Sequence, residues 1–209
     1  MAVATARALR VGLFGGAFDP PHLAHRALVQ AAMAQLQLDV LHVLPTGHAW
    51  HKHRDLSPAP QRLAMAQLAF ADLPGVQVDA RELLRDGPTY TVDTVRELQG
   101  EYPGAVLHLL IGADQAAAFQ TWHAWQAIVR DAIICIAQRA HATGASGVID
   151  ATIGTSNLPG ARAEFLSMPA MDTSATDIRT RVAAHLGIDH LVPAAVARYI
   201  DQHHLYRTD

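Results

Sequence analysis

The sequence predicts an α/β fold: a doubly wound parallel sheet with a helical C-terminal portion. Three observations predict it. Short apolar runs alternate with longer stretches of helical period. The first run ends in two glycines that open a helix. Half of the 209 residues are hydrophobic and only 17% are charged, against a usual figure of about 25%. That balance excludes global disorder, and the length suffices for one substantial core.

Leu9 to Phe14 reads as a brief buried strand, stopped by Gly15-Gly16. Asp19 is placed to cap the next helix, with Pro20 or Pro21 in its first turn. His22 to Leu36 then carries Leu28, Ala31, Ala32 and Leu36 on one face. Val40 to Leu44 is a second strand, closed by Pro45, which completes a strand–turn–helix–strand unit. A polar loop from Thr46 to Pro60 leads to a helix over Gln61 to Phe70, and Val76 to Val78 is a short strand. The polar segment Ala80 to Tyr90 precedes a helix over Thr91 to Gln99 and an apolar strand over Ala105 to Gly112. Helical stretches at Asp114 to Phe119 and Ala124 to Val129 lead into the strand Asp131 to Ala137. Ala140 to Gly160 is rich in small residues without period and reads as a loose excursion. A strand at Arg162 to Leu166 and helices at Ser174 to His185 and Pro193 to His203 finish the chain. No repeat or linker divides it, so a single Rossmann-like domain over 1–209 is expected.

Composition narrows the function classes. A formal charge of −3 and a pI near 6.5 argue against general nucleic-acid binding. The one cysteine, Cys135, excludes an internal disulfide and a cysteine-rich zinc module. No apolar stretch reaches the ~18–20 residues that span a bilayer, and the N-terminus lacks the pattern of a cleaved signal. A cytoplasmic chain with no membrane partner is the expectation.

The turn after the first strand is Gly15-Gly16-Ala17-Phe18-Asp19-Pro20-Pro21-His22-Leu23-Ala24-His25. In an open parallel sheet this is where ligands bind. Paired glycines admit a ligand close to the backbone, and a helix N-terminus presents N–H donors and a positive dipole end. His22 and His25, three apart, share a face there. The set suits a phosphate, although a glycine turn with two helix histidines is also an ordinary structural feature. Two named nucleotide motifs are excluded. The only lysine is Lys52, so no Gly-x-x-x-x-Gly-Lys loop exists, and Gly12, Gly15 and Gly16 lack dinucleotide spacing.

This eleven-residue string closely resembles the first motif of the nucleotidylyltransferase superfamily, departing from it at Ala24, where the family usually has glycine. Later segments resemble one branch, the bacterial nicotinate-nucleotide adenylyltransferases. They are Pro45 with the loop ending His51-Lys52, Arg81-Glu82-Leu83 with Thr89-Tyr90-Thr91, Ile111-Gly112-Ala113-Asp114 followed by Trp122, Ser174-Ala175-Thr176-Asp177-Ile178-Arg179, and the C-terminal Leu205-Tyr206. An Arg-Pro motif of the family is reduced here to Arg139 followed by Ala140.

The resemblance implies transfer of the adenylyl group of ATP to nicotinate mononucleotide, giving deamido-NAD⁺ and pyrophosphate. It implies a nucleotide-binding core over about 9–140 and phosphate-contacting helices over about 161–209. His22, His25 and Arg179 take catalytic roles by this analogy. Gly15, Gly16, Phe18, His51, Lys52, Gly112, Asp114, Arg139, Ser174 and Thr176 contact ATP, and Tyr90, Thr91 and Trp122 hold the nicotinate nucleotide. Mg²⁺ is implied as a cofactor carried mainly by ATP phosphates and water, with no dedicated protein metal site. On the residues alone, Trp122 suits core packing as well as ring stacking, and Asp114 suits a helix cap as well as an adenosine contact. His48, His51 and His53 form a cluster that zinc could use, but no cysteine or carboxylate completes it at standard spacing. The other acceptors to weigh are nicotinamide mononucleotide and phosphopantetheine. A non-catalytic nucleotide sensor and a plain interaction domain are the rivals of another class. Oligomeric state is left open.

Overall fold

A computed structural model describes residues 7–47, 56–139 (138 and 139 by backbone alone) and 158–207. Its strands are β1 Arg10–Gly16, β2 Val40–Pro45, β3 Val76–Val78, β4 Val106–Gly112, β5 Ala132–Arg139 and β6 Ala163–Met168. They form one sheet in the order β3-β2-β1-β4-β5-β6, with every pair parallel. The helices are α1 Leu23–Gln35, α2 Ala59–Phe70, α3 Arg81–Leu84, α4 Thr91–Glu101, α5 Ala113–Ala117 and α6 Trp125–Asp131. After β6 come α7 Ala175–Ala183 and α8 Ala194–Gln202.

Side chains of a strand alternate between faces, so a doubly covered sheet needs apolar residues at consecutive positions. Phe14, Leu110, Cys135 and Leu166 pack on one face with Val29 of α1, Met65 and Phe70 of α2 and Ile200 of α8. Their neighbours Leu13, Leu109, Ile111 and Ile134 pack on the other with Val95 and Leu98 of α4 and Ile128 of α6. This is the expected doubly wound, Rossmann-like architecture. The C-terminal portion adds more than helices to it, since β6 extends the sheet beyond β5.

Two local expectations are corrected. β1 runs through both glycines, because Gly15 and Gly16 stay in register with Leu44 and Pro45 of β2. Asp19 does not cap α1; His22 does, with extended backbone. Asp19 instead turns inward at 1% exposure, where its carboxylate accepts hydrogen bonds from the Tyr206 hydroxyl (2.7 Å) and the Ser57 N–H (3.2 Å). A short side chain engaged in the interior has no reach left for the helix end. The polar segment before α4 also contains a turn of helix, α3.

Candidate active site

The sheet order reverses between β1 and β4, which opens a crevice beyond their carboxyl ends. Gly15 and Gly16 end β1 on one side of it, and Gly112 ends β4 on the other. A Cβ on Gly15 or Gly112 would meet nothing within 4 Å, so both positions leave room for a ligand against the backbone. A Cβ on Gly16 would come within 3.1 Å of the Phe18 ring.

The side chain of Phe18, expected among the ATP contacts, is 1% exposed, with its ring 5.2 Å from that of His25 and 5.9 Å from that of Phe70, so only its main chain is left to meet a ligand. A positive φ of 47° turns it inward, a conformation uncommon for non-glycine residues. It is the apolar floor beneath the imidazoles. Above it, His22 and His25 stack with centroids 3.7 Å apart at 20°, and the His22 N–H donates to Nδ1 of His25 at 3.2 Å. The Leu23 N–H is taken by the carbonyl of Leu191 at 2.9 Å, and that of His25 by His22 at 3.0 Å. The supply of free donors expected at this helix end is therefore reduced.

Arg179 reaches this turn across 160 positions of sequence: its guanidinium donates to the carbonyl of Asp19 at 2.8 Å and to the Thr176 hydroxyl at 2.9 Å. Ser174 caps α7 as expected, accepting from the Asp177 N–H at 3.1 Å. Sequence reasoning missed two residues that hold the turn in place. Arg62, 3% exposed, donates to the carbonyls of Ala17 (3.0 Å), Thr46 (2.8 Å) and Ser57 (3.0 Å). Tyr206 anchors Asp19 as described. The available signal for Arg62 was an arginine on the buried face of an otherwise apolar helix.

A cavity of about 110 Å³ continues from the glycines beneath α4, lined by Tyr90, Thr91, Thr94, Trp122 and His123 among others. Tyr90 is the N-cap of α4 and Thr91 its first residue, so the positive end of that helix lies at the cavity wall. Trp122 is half-buried, packs 5.0 Å from the Phe119 ring and lines the cavity. Asp114 is exposed in the first turn of α5, whose N-cap is Gly112, which excludes the capping alternative. Arg139 ends β5 beside Met168. His51 and Lys52, with the His48–His53 cluster, lie outside the described residues.

Glu82 also lines the cavity at 5% exposure. Burial raises its carboxyl to about 7, against the lowering pull of the Thr94 hydroxyl and the Arg85 charge. Among the described residues, one group could geometrically hold a metal: His108, Cys135 and Glu164. Burial, with Arg10 and Arg162 nearby, lowers His108 to about 4, and burial raises the Cys135 thiol to about 12. A cation there would meet two guanidinium charges and a protonated thiol. No helix among the described residues is long and apolar enough to cross a membrane.

The chain matches the cytidylyltransferase-like family over residues 13–181. It is 59% identical to a protein of Albidiferax ferrireducens over 95% of this chain and 98% of that one, and 40% identical to one of Methylibium petroleiphilum over 94% and 92%. Both relatives carry the name nicotinate-nucleotide adenylyltransferase. Among solved structures, nicotinic acid mononucleotide adenylyltransferase of Plasmodium falciparum, complexed with NaAD, superposes with a TM-score of 0.74 at 18% identity. That match covers 95% of this chain and 97% of the other, and at that identity it speaks for the fold. By its sequence relatives and its fold, the chain belongs to the nicotinate-nucleotide adenylyltransferase family of cytidylyltransferase-like proteins.

Proposed function

We propose that this protein transfers the adenylyl group of ATP to nicotinate mononucleotide, releasing pyrophosphate and forming deamido-NAD⁺ in NAD biosynthesis. The observation that carries this reading is the meeting of a histidine- and arginine-braced turn with a cavity at the end of β1. Stacked His22 and His25 stand beside a turn held by Arg179, and a ring-sized cavity lined by Tyr90, Thr91 and Trp122 adjoins it.

In the reaction, a phosphate oxygen of the mononucleotide attacks the α-phosphorus of ATP. The bond from that phosphorus to the bridging oxygen of the pyrophosphate breaks, and the leaving group takes the electron pair. The nucleophile is already anionic, so no strong general base is needed. The protein's work is to hold two polyanions in line and to offset charge as it develops. His25 is proposed to donate to the α-phosphate, with His22 beside it and Arg179 closing the far side. Gly15, Gly16 and Gly112 allow close approach of the nucleotide, and Ser174 and Thr176 join Arg179 on the phosphates. His51, Lys52, Asp114 and Arg139 enter as further ATP contacts by analogy with the family. Trp122 stacks on the pyridine ring, and the first N–H groups of α4 at Tyr90-Thr91 receive its carboxylate, leaving the NH₂ of an amide facing donors.

A divalent ion, Mg²⁺ in this reading, would offset phosphate charge on the nucleotide. The one acid of the opening turn, Asp19, is committed to Tyr206 and Ser57, so the donor set fits an ion carried by phosphates and water. Cytoplasmic ATP is the adenylyl source in this proposal.

Pyrophosphate release with ATP, Mg²⁺ and each of nicotinate mononucleotide, nicotinamide mononucleotide and phosphopantetheine tests the reading. Preference for nicotinate mononucleotide is the expected result, and preference for another acceptor overturns the branch assignment. ATP binding without release would favour a nucleotide sensor, and no ATP binding a plain interaction domain.

A further inference from the structure

The pyridine cavity contains a carboxyl that the mechanism above does not use. Glu82 Oε1 accepts the Thr94 hydroxyl at 2.9 Å, and no ion pair to its carboxyl is present among the described residues. Its nearest cation, Arg85, is spent on Glu97 at 2.8 Å and touches the Thr94 hydroxyl at 3.4 Å. The position is tightly held. A Cβ on Gly47, two residues past β2, would come within 2.1 Å of the Glu82 carbonyl oxygen and 2.7 Å of the Thr89 hydroxyl. The backbone of Glu82 is therefore packed closely against the chain leaving β2.

On the reading given above, the same cavity must receive the ring carboxylate of nicotinate. Two ionised carboxylates in one small cavity repel, and the buried one favours taking a proton. We propose that Glu82 is a specificity-determining residue of the pyridine subsite: the cavity accepts a ring carboxylate only while Glu82 is protonated, so binding of the acid nucleotide takes up a proton and binding of the amide does not. The value of about 7 places Glu82 within reach of that exchange near neutral pH. The groups facing it act in known directions. Asp79 before α3 and Glu97 on α4 disfavour its charge, whereas Arg85 and the Thr94 hydroxyl favour it. Tyr90 and His123 line the cavity as well, and an effect through either would persist in Glu82→Gln.

The products separate this coupling from the titration of a monoester phosphate, because the phosphates of deamido-NAD⁺ and NAD⁺ are esterified and do not titrate near neutrality, and the ring carboxylate of deamido-NAD⁺ stays ionised from pH 6 to 8. Calorimetry of each in two buffers of different ionisation enthalpy, from pH 6 to 8, reads proton uptake and affinity together. For deamido-NAD⁺, uptake is expected to approach one proton at pH 8 and to be small at pH 6. Affinity is expected to fall about tenfold over that range, as a carboxyl titrating near 7 dictates. NAD⁺ is expected to show neither effect. Glu82→Gln should abolish the uptake and the pH slope for deamido-NAD⁺. Thr94→Val, which removes the hydrogen bond favouring the charged form, should move the affinity loss to higher pH. Uptake and slope unchanged in Glu82→Gln, or equal uptake for NAD⁺ and deamido-NAD⁺, would overturn the proposal. Wild-type pyrophosphate release with nicotinate mononucleotide is measured separately. Its loss or transfer to another acceptor rejects the functional reading, whereas intact turnover with an unchanged Glu82→Gln slope rejects only the role of Glu82.

Discussion

In the phosphate half of the crevice, the cationic groups come from distant parts of the chain. His22 and His25 sit on one turn, Arg179 arrives from 160 positions away and Tyr206 from 187 beyond Asp19. In the pyridine half, Glu82, Thr89, Tyr90, Thr91 and Thr94 come from one short stretch, joined by Trp122 and His123. The first half uses imidazole and guanidinium groups braced on backbone carbonyls. The second is a small cavity with one acid that has no ion pair among the described residues. On the proposed function, charge stabilisation depends on tertiary closure and acceptor choice on local burial, so damage to each half should have a different signature.

The largest effect should follow from His25→Ala, with turnover falling on the order of 10²–10³-fold, as for loss of a preorganised donor to developing charge. Steady-state pyrophosphate release measures it, and a loss below about threefold would remove His25 from the chemistry.

Next is the pH dependence of stability contributed by Glu82. Burial holds its carboxyl at about 7 in the fold, above its ordinary 4.5. A raised acid contributes stability that is fully present below about 4.5 and lost as pH rises through about 7. Thermal melts should therefore show Glu82→Gln gaining on the wild type between pH 5 and 8, on the order of 3 kcal/mol. A difference that stays flat with pH would place the carboxyl in a better-solvated setting. His108, held at about 4, has the opposite sign: its neutral burial costs stability as pH falls from about 6.5 towards 4. Melts of Glu82→Gln between pH 4 and 6 should retain that second trend.

Tyr206→Phe removes the hydroxyl that donates to buried Asp19 and should cost about 2 kcal/mol, as for a buried carboxylate deprived of a donor. Denaturant unfolding checks this, and it should be accompanied by weaker ATP binding, because Arg179 grips the same residue. Trp122→Ala should raise KM for the mononucleotide roughly tenfold, within the range of lost aromatic stacking and burial, and leave KM for ATP nearly unchanged. Equal changes in both constants would erase the distinction between the halves. The smallest effect is expected from His203→Ala. That ring is exposed and packs only beside Tyr199, 4.1 Å away, so activity should be close to wild type.

Much of this was legible in order along the chain. Val40 to Leu44 and Ala105 to Gly112 read as strands because residues buried on both faces leave uninterrupted apolar runs. Ser174 read as a cap because a hydroxyl three residues before an N–H reaches it by local geometry. The opening motif placed the imidazole pair on one side of a helix end, and the rings do stack. Asp19 was misread because it has a standard local role, as a cap, that burial overrode. Arg62 and Glu82 were passed over because their importance lies in what surrounds them, and no spacing rule encodes the depth at which a side chain ends up.

The sequence by itself determined the alternation of strands and helices, the glycine-imidazole turn and the capped helix bearing Arg179, since all of these follow from short-range periodicity and hydrogen-bonding reach. Only the tertiary structure decided that Arg179 and Tyr206 close on Asp19, that Phe18 packs against His25, and that Glu82 has no ion pair among the described residues. Those outcomes depend on which distant surfaces exclude water from which polar groups, and desolvation is a property of the folded neighbourhood, not of the local chain.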